Sequence, residues 1–230
     1  MSSSQAALVK QGALVAAGAL VVYGALRLLR ARVYDALIVN LTTEWYEHVL
    51  KRLPSGAKFL DVGIGTGLAL ANNKPLLQSK AITVDGVDYD IDYVHRCRAL
   101  VKANGLEDSV KVHHASVYDY QGGPYDAVYF SASLMIMPDP VKALQHGISM
   151  LKPDGRVYVT QTIQTRRSRL VEVGKPLLKF LTTIDFGQVT YEEDLLVTFK
   201  KAGLTVVENL PISGSTATST RSYRLFVLQP

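Results

Sequence analysis

Cys97 is the only cysteine in this chain, which excludes an intrachain disulfide framework and points to a reducing compartment. Acidic residues are missing from the first 34 positions, where Lys10, Arg27, Arg30 and Arg32 give +4. Subtracting that from the whole-chain charge of +5 leaves only +1 for everything beyond. A near-neutral domain lacks the clustered basic side chains that release phosphate counterions, so no nucleic-acid partner is expected. There is no internal repeat, and low complexity is confined to SGSTATSTRS at 213–222, read as a surface loop. No metal is assigned. Apolar residues, by contrast, make up 48% of the 230, enough for one α/β domain with an appendage.

Charge is also missing from residues 12–26, GALVAAGALVVYGAL. These 15 residues fall short of the roughly 20 that span a bilayer core. Extended to 6–29 the run reaches 24, with Lys10 and Arg27 near its ends, where long basic side chains reach headgroups. Small residues alternating with Leu and Val suit packing against another helix. A cleaved signal peptide would place a small-residue cleavage site after the run, where RLLRAR stands instead. A mitochondrial transit peptide fits the acid-free start and Ser2-Ser3-Ser4, but would be amphipathic rather than uniformly apolar. Residues 1–33 are therefore read as a retained single-pass transmembrane helix, with targeting and burial against a partner as alternatives. Arg27, Arg30 and Arg32 follow the run, which puts residues 34–230 on the cytosolic, matrix or stromal side. The mitochondrial inner membrane is one such location.

Residues 34–53 pattern as an amphipathic helix with a break near Asn40, ended by Pro54-Ser55-Gly56. Apolar β-type runs at 58–62, 81–87, 110–114, 126–131 and 156–162 then alternate with helical stretches. The helices start at Leu68 (ended or kinked by Pro75) and cover 91–104 and 141–151. This alternation predicts a parallel sheet covered on both faces. A helix over 191–202 precedes runs at 205–209 and 223–228, a terminal hairpin contributing one antiparallel strand.

The first strand runs into Phe59-Leu60-Asp61-Val62-Gly63-Ile64-Gly65-Thr66-Gly67 and then a helix. Glycines at 63, 65 and 67 let the backbone approach a ligand, and the helix start favours an electron-rich group. The dinucleotide spacing G-x-G-x-x-G would need Gly or Ala at 68, which is Leu. Asp61, opening the motif, can receive a cationic amino group, which S-adenosylmethionine has and NAD lacks. The second strand ends in Gly86-Val87-Asp88, and a carboxylate there can accept two parallel hydrogen bonds.

These motifs resemble the class I methyltransferases, over about residues 45–230. The resemblance implies a seven-stranded sheet, order 3-2-1-4-5-7-6 with strand 7 antiparallel, and S-adenosylmethionine as cofactor. It places Asp61, Gly63, Gly65, Gly67, Asp88, Tyr89, Ser116, Val117 and Ser131 at the cofactor. After the third strand the family usually has an acid beside the adenine; here Ser116 stands in Ala115-Ser116-Val117, with Asp119 as a substitute. The tract from Tyr125 through Pro138-Asp139-Pro140 to Leu151-Lys152-Pro153-Asp154-Gly155 is similar to small-molecule methyltransferases. Pro140 suits a first helical turn and Pro153-Asp154-Gly155 a tight turn. Enzymes that methylate nucleobase amino groups carry a Pro-Pro-Tyr type of sequence, absent here.

Methyl transfer needs alignment of donor and acceptor, and a general base only if the acceptor must lose a proton. No catalytic residue is assigned. Tyr46 and His48, two apart on a helix, point about 200° from each other, so at most one faces the site. Trp45 reads as core, His146 as outside the site, and His113 and His114 as structural. Ser131 and Ser133 stand at the carboxyl edge where open α/β sheets bind ligands. Arg166, Arg167 and Arg169 either grip an anionic group or form a solvated helix start. The apolar stretch 171–184 sits where the family covers its substrate, so with an anchor nearby the acceptor is expected to be a lipophilic small molecule or lipid. The alternative is an accessory subunit of a membrane protein complex, with catalysis lost or incidental.

Overall fold

A computed structural model describes residues 40–165, 167, 189–212 and 220–230, with isolated positions at Gln5, Gln11, Ala17, Gly18, Val21 and Val22. Helix α1 covers Asn40–Arg52, and the part of the 34–53 helix expected before Asn40 lies outside the described residues. Lys51 and Arg52 sit at the negative end of its dipole, and Lys80 Nζ caps its last carbonyls, at 2.9 Å from Leu50 O and 3.0 Å from Lys51 O. Trp45, Val49 and Leu50 recur at helical spacing and are buried, which fixes the face α1 turns to the sheet.

Seven strands form one sheet: β1 (Lys58–Val62), β2 (Thr83–Asp88), β3 (Val110–His114), β4 (Tyr125–Ser131), β5 (Leu151–Gln164), β6 (Thr205–Pro211) and β7 (Arg221–Gln229). Their order is β3-β2-β1-β4-β5-β7-β6, as the resemblance implies. The first five pair in parallel, and β7 runs antiparallel to both β5 and β6. Side chains leave each strand alternately, so Phe59 and Tyr129 face one side while Leu60, Val62 and Phe130 face the other. The first side is covered by α1, α2 (Leu68–Ala71), α3 (Lys74–Ser79) and α4 (Ile91–Ala103). The second is covered by α5 (Pro140–Ser149) and α6 (Glu192–Lys201). Fully buried Phe59, Phe130, Phe199 and Phe226 each contribute about 1.5–3 kcal/mol over exposure.

Several boundaries differ from the sequence reading, each for a local reason. Pro75 neither ends nor kinks the helix from Leu68; that helix stops at Ala71, and Pro75 lies in the first turn of α3, where its missing N–H costs nothing. The second strand starts at Thr83 rather than 81 because Ala81 turns through φ +50°. Leu151 belongs to β5, opposite Tyr125, and the next pair is Ala127 with Arg156. The Lys-Pro-Asp-Gly tract between them bulges out within the strand's span. Arg221 and Ser222 are in β7 rather than in a loop, while 213–219 fall outside the described residues.

Among the described residues no helix is long and apolar enough to cross a membrane. The segment read as an anchor, 1–33, lies outside them apart from the isolated positions.

Candidate functional site

The turn after β1 is held from below by β2, whose Val87 carbonyl accepts from Gly63 N at 2.8 Å and Ile64 N at 3.2 Å. The chain then doubles back through φ +76° at Gly63, +60° at Gly65 and +72° at Gly67, values that a Cβ would strain. Gly67, the N-cap of α2, also lies against α4: a Cβ there would stand 2.5 Å from Cys97 Sγ. A Cβ on Gly63 would come 2.6 Å from Ser133 Cβ, in the segment after β4. Gly65 N donates to Asp88 Oδ2 at 2.9 Å, and Asp90 N donates to Asp88 Oδ1 at 2.9 Å. Both Asp88 oxygens are thus held in place by backbone donors, which fixes the carboxylate at the end of β2.

Asp61 is wholly buried on the α1 side of β1, and Tyr46 of α1 donates to its Oδ2 at 2.7 Å. The Tyr46 ring meets Tyr129 edge-on at 5.0 Å between centroids, and Tyr129 shares a 2.8 Å hydrogen bond with Thr160. Burial pushes the Asp61 carboxyl up to about 7; the Tyr46 hydrogen bond opposes this and the nearby Asp88 charge adds to it. Among the described residues Asp61 Oδ1 is buried without a hydrogen-bond partner, as is Ser131 Oγ at the end of β4. A buried carboxylate oxygen with no donor costs far more than a paired one, so this is a place where a cation is welcome.

Two cavities open at this edge and share Gly63. The larger, about 400 Å³, is walled by the ends of β1 and β2, by 115–118 after β3 and by 136–138 after β4. The smaller lies between the glycine turn and α1, with Thr42, Tyr46, Thr66 and Ser131 among its walls. Of the residues read from the sequence, Gly63, Asp88, Tyr89, Ser116 and Val117 line the larger cavity, and Gly63, Gly67 and Ser131 the smaller. Asp61 and Gly65 join them through Tyr46 and Asp88. All nine converge on one edge of the sheet.

Asp119 does not substitute for an acid beside Ser116: its side chain is exposed and lines neither cavity. Of the pair on α1, Tyr46 faces the site and His48 turns to Glu44, 3.9 Å away, so the 200° argument separates them. Trp45 is core. His146 is bound to Tyr120 O at 2.7 Å, His113 stands 3.4 Å from Asp85, and His114 contacts Tyr89 O at 3.0 Å. Among the described residues neither cavity is lined by a histidine. Arg167 lies over the Tyr191 ring and 3.4 Å from Asp194, a surface pairing; Arg166, Arg169 and 171–184 lie outside the described residues. The sequence reading did not assign Thr42, Thr66, Tyr118 or the 136–138 wall to the site. Thr66 sits inside the glycine motif and Pro138 inside the Pro-Asp-Pro tract, so both were legible; Thr42 is placed by the packing of α1, and Tyr118, Ile136 and Met137 by loop paths with no motif.

A parallel sheet in this order with an antiparallel seventh strand, and an acidic glycine-rich turn at its carboxyl edge, defines a Rossmann-like methyltransferase. The chain belongs to the family described as Methyltransferase domain, whose model matches residues 33–209. It is similar to phosphatidylethanolamine N-methyltransferase of Cereibacter sphaeroides, 26% identical over 162 residues, 69% of this chain and 75% of that protein. Ubiquinone biosynthesis O-methyltransferase of Xylella fastidiosa (strain 9a5c) is 29% identical over 134 residues, 55% of this chain and 51% of the relative. Methyltransferase GfsG of Streptomyces halstedii is 25% identical, with 77% and 62% covered. The chain thus spans between half and three quarters of the length of these relatives. Among solved structures, mitomycin 7-O-methyltransferase superposes with a TM-score of 0.68 at 19% identity, covering 88% of this chain and 57% of the other. Geranyl diphosphate methyltransferase in complex with SAM gives 0.67 at 14% identity, covering 86% and 89%. Likeness at that level shows the fold.

The protein is an S-adenosylmethionine-dependent methyltransferase. Its residues fit that cofactor on their own terms: a buried carboxylate oxygen without a hydrogen-bond partner among the described residues, suited to an ammonium group, and a second carboxylate, Asp88, fixed by backbone donors on the wall of the larger cavity. Glycines allow the close approach between them.

Proposed function

We propose that this methyltransferase acts on a lipophilic small molecule or lipid, with residues 1–33 holding the domain at a membrane. The nine site residues divide the work. Asp61, through its free oxygen, neutralises the cofactor's ammonium at the smaller cavity, where Ser131 Oγ offers a further hydrogen bond. Asp88 accepts the ribose hydroxyls, and Tyr89, Ser116 and Val117 surround the base in the larger cavity. S-adenosylmethionine, when held by these residues, would supply a sulfonium-bound methyl carbon that an acceptor atom can attack, the S–CH3 electron pair leaving with the thioether sulfur. The chain's own contribution is to fix that donor on a rigid sheet edge and to exclude water around it.

The observation that carries the site assignment is the Asp61 oxygen, buried and without a donor at the edge of the cavity. The lipophilic acceptor rests on the uncharged run at 12–26 and on relatives named for a phospholipid and for ubiquinone biosynthesis. The test is transfer of labelled methyl from S-adenosylmethionine by the full chain, offered phosphatidylethanolamine vesicles, a prenylated catechol and a panel of soluble polar acceptors. Label in a lipophilic acceptor is expected, and activity confined to the polar panel would refute the reading. The full chain should also co-sediment with vesicles, and a chain starting at Tyr34 should not.

A further inference from the structure

Beyond Asp88, the wall that receives the base is nearly without charge. Among the described residues Asp88 is the only carboxylate lining the larger cavity. Ser116 Oγ already accepts from Tyr118 N at 3.3 Å. The Tyr118 hydroxyl is spent on the segment after β4, donating to Asp139 O and accepting from Asp139 N, each at 3.0 Å. That clasp ties 115–118 to 136–138 and so sets the width of the slot between them. Asp119, the nearest other acid in sequence, is exposed and outside the cavity. What the slot does offer is apolar surface from Val117, Ile136 and Met137, with Tyr89, an exposed residue, at the rim. A flat heteroaromatic base would meet side-chain faces along both of its own faces and a neutral edge.

We infer that this enzyme selects its cofactor by the faces of the base and not by the exocyclic amino group, so that cofactors altered at that amino group are accepted nearly as well as the natural one. Ser116 is the residue that sets this tolerance. A neutral hydroxyl or carbonyl meeting the amino group allows a preference of about tenfold at most, whereas a carboxylate would impose roughly tenfold to more than a hundredfold. Stacking and apolar contact are blind to that substituent.

The inference rests on the placement of the base in this cavity, and the experiment separates the two. Dissociation constants of the full chain are measured by calorimetry for S-adenosylhomocysteine and for its analogue whose base is purine without the amino group. The two are expected within about fivefold. Tyr89→Ala should weaken both by the same factor, and Ser116→Asp should open a preference beyond tenfold for the natural base. A wild-type ratio above tenfold overturns the inference while leaving the cavity assignment intact if Asp88→Ala weakens both ligands. Affinities untouched by Asp88→Ala would instead remove the placement of the base, and the inference with it.

Discussion

Lowering the pH below 7 should weaken cofactor binding in a way traceable to one side chain. Asp61 is wholly buried, and its carboxyl is pushed up to about 7 by desolvation, with Tyr46 opposing and Asp88 adding to the shift. To pair with an ammonium group it must be ionised, so below 7 a proton has to leave first. Each pH unit then costs about 1.4 kcal/mol, or tenfold in affinity, and at pH 6 about 0.9 proton is released on binding. Above about 8 the amino group of the free cofactor loses its own proton, so affinity passes through a maximum near pH 7–8. Calorimetric titration in buffers of different ionisation enthalpy reads affinity and proton release together. The sign for folding is the reverse. A carboxyl raised from 3.8 to about 7 binds its proton more tightly in the native chain. Its contribution is therefore whole below about pH 4 and is lost as pH rises through 7, on the order of 4 kcal/mol. Asp61→Asn should flatten both profiles, so that the cofactor-free variant gains stability relative to the parent at pH 7 while binding weakly at every pH. Flat affinity between pH 5.5 and 7 with no proton release would refute this account of Asp61.

Three further outcomes follow from distances in the same site. Tyr46→Phe removes the hydrogen bond that lowers the Asp61 carboxyl, so the acid limb of the affinity profile should move to higher pH, with a loss of about 1.5–3 kcal/mol in binding at pH 7; an unmoved limb in calorimetry would show the contact to be idle. Asp88→Ala should weaken cofactor binding by roughly 1.5–3 kcal/mol through lost charge-assisted hydrogen bonds, again read by titration, and unchanged affinity in a folded variant would displace Asp88 from the ribose. Gly67→Ala combines a left-handed backbone at φ +72° with a Cβ 2.5 Å from buried Cys97 Sγ, so thermal unfolding should report about 2–4 kcal/mol of lost stability. Cys97→Ala in the same chain should restore part of it, and a double variant no better than the single one would put the strain elsewhere.

The strands, the glycine turn and Asp88 were legible because each is written in a short contiguous stretch, while the strand order came only with the family resemblance. A β-type run, a turn that only glycine permits and a carboxylate at the next strand's end are local facts about the chain. Tyr46 was legible only as one of two candidates, since helical spacing says that Tyr46 and His48 diverge but not which of them meets β1. Burial of Trp45, Val49 and Leu50 decides it, because the face they define carries Tyr46 inward with them. Pro75 was misread for a complementary reason: a proline interrupts a helix or begins one, and the break at Ala71 precedes it. The bulge between Tyr125 and Ala127 could not be read either, since register is a property of two strands and the sequence presents one at a time. The slot beside Ser116 is the clearest case. Its neutrality depends on where Asp119 points and on what the Tyr118 hydroxyl reaches 21 residues away, both consequences of loop paths. Spacing therefore locates the proposed cofactor site in this chain, while the selectivity proposed for the pocket is decided by contacts between loops that no motif encodes.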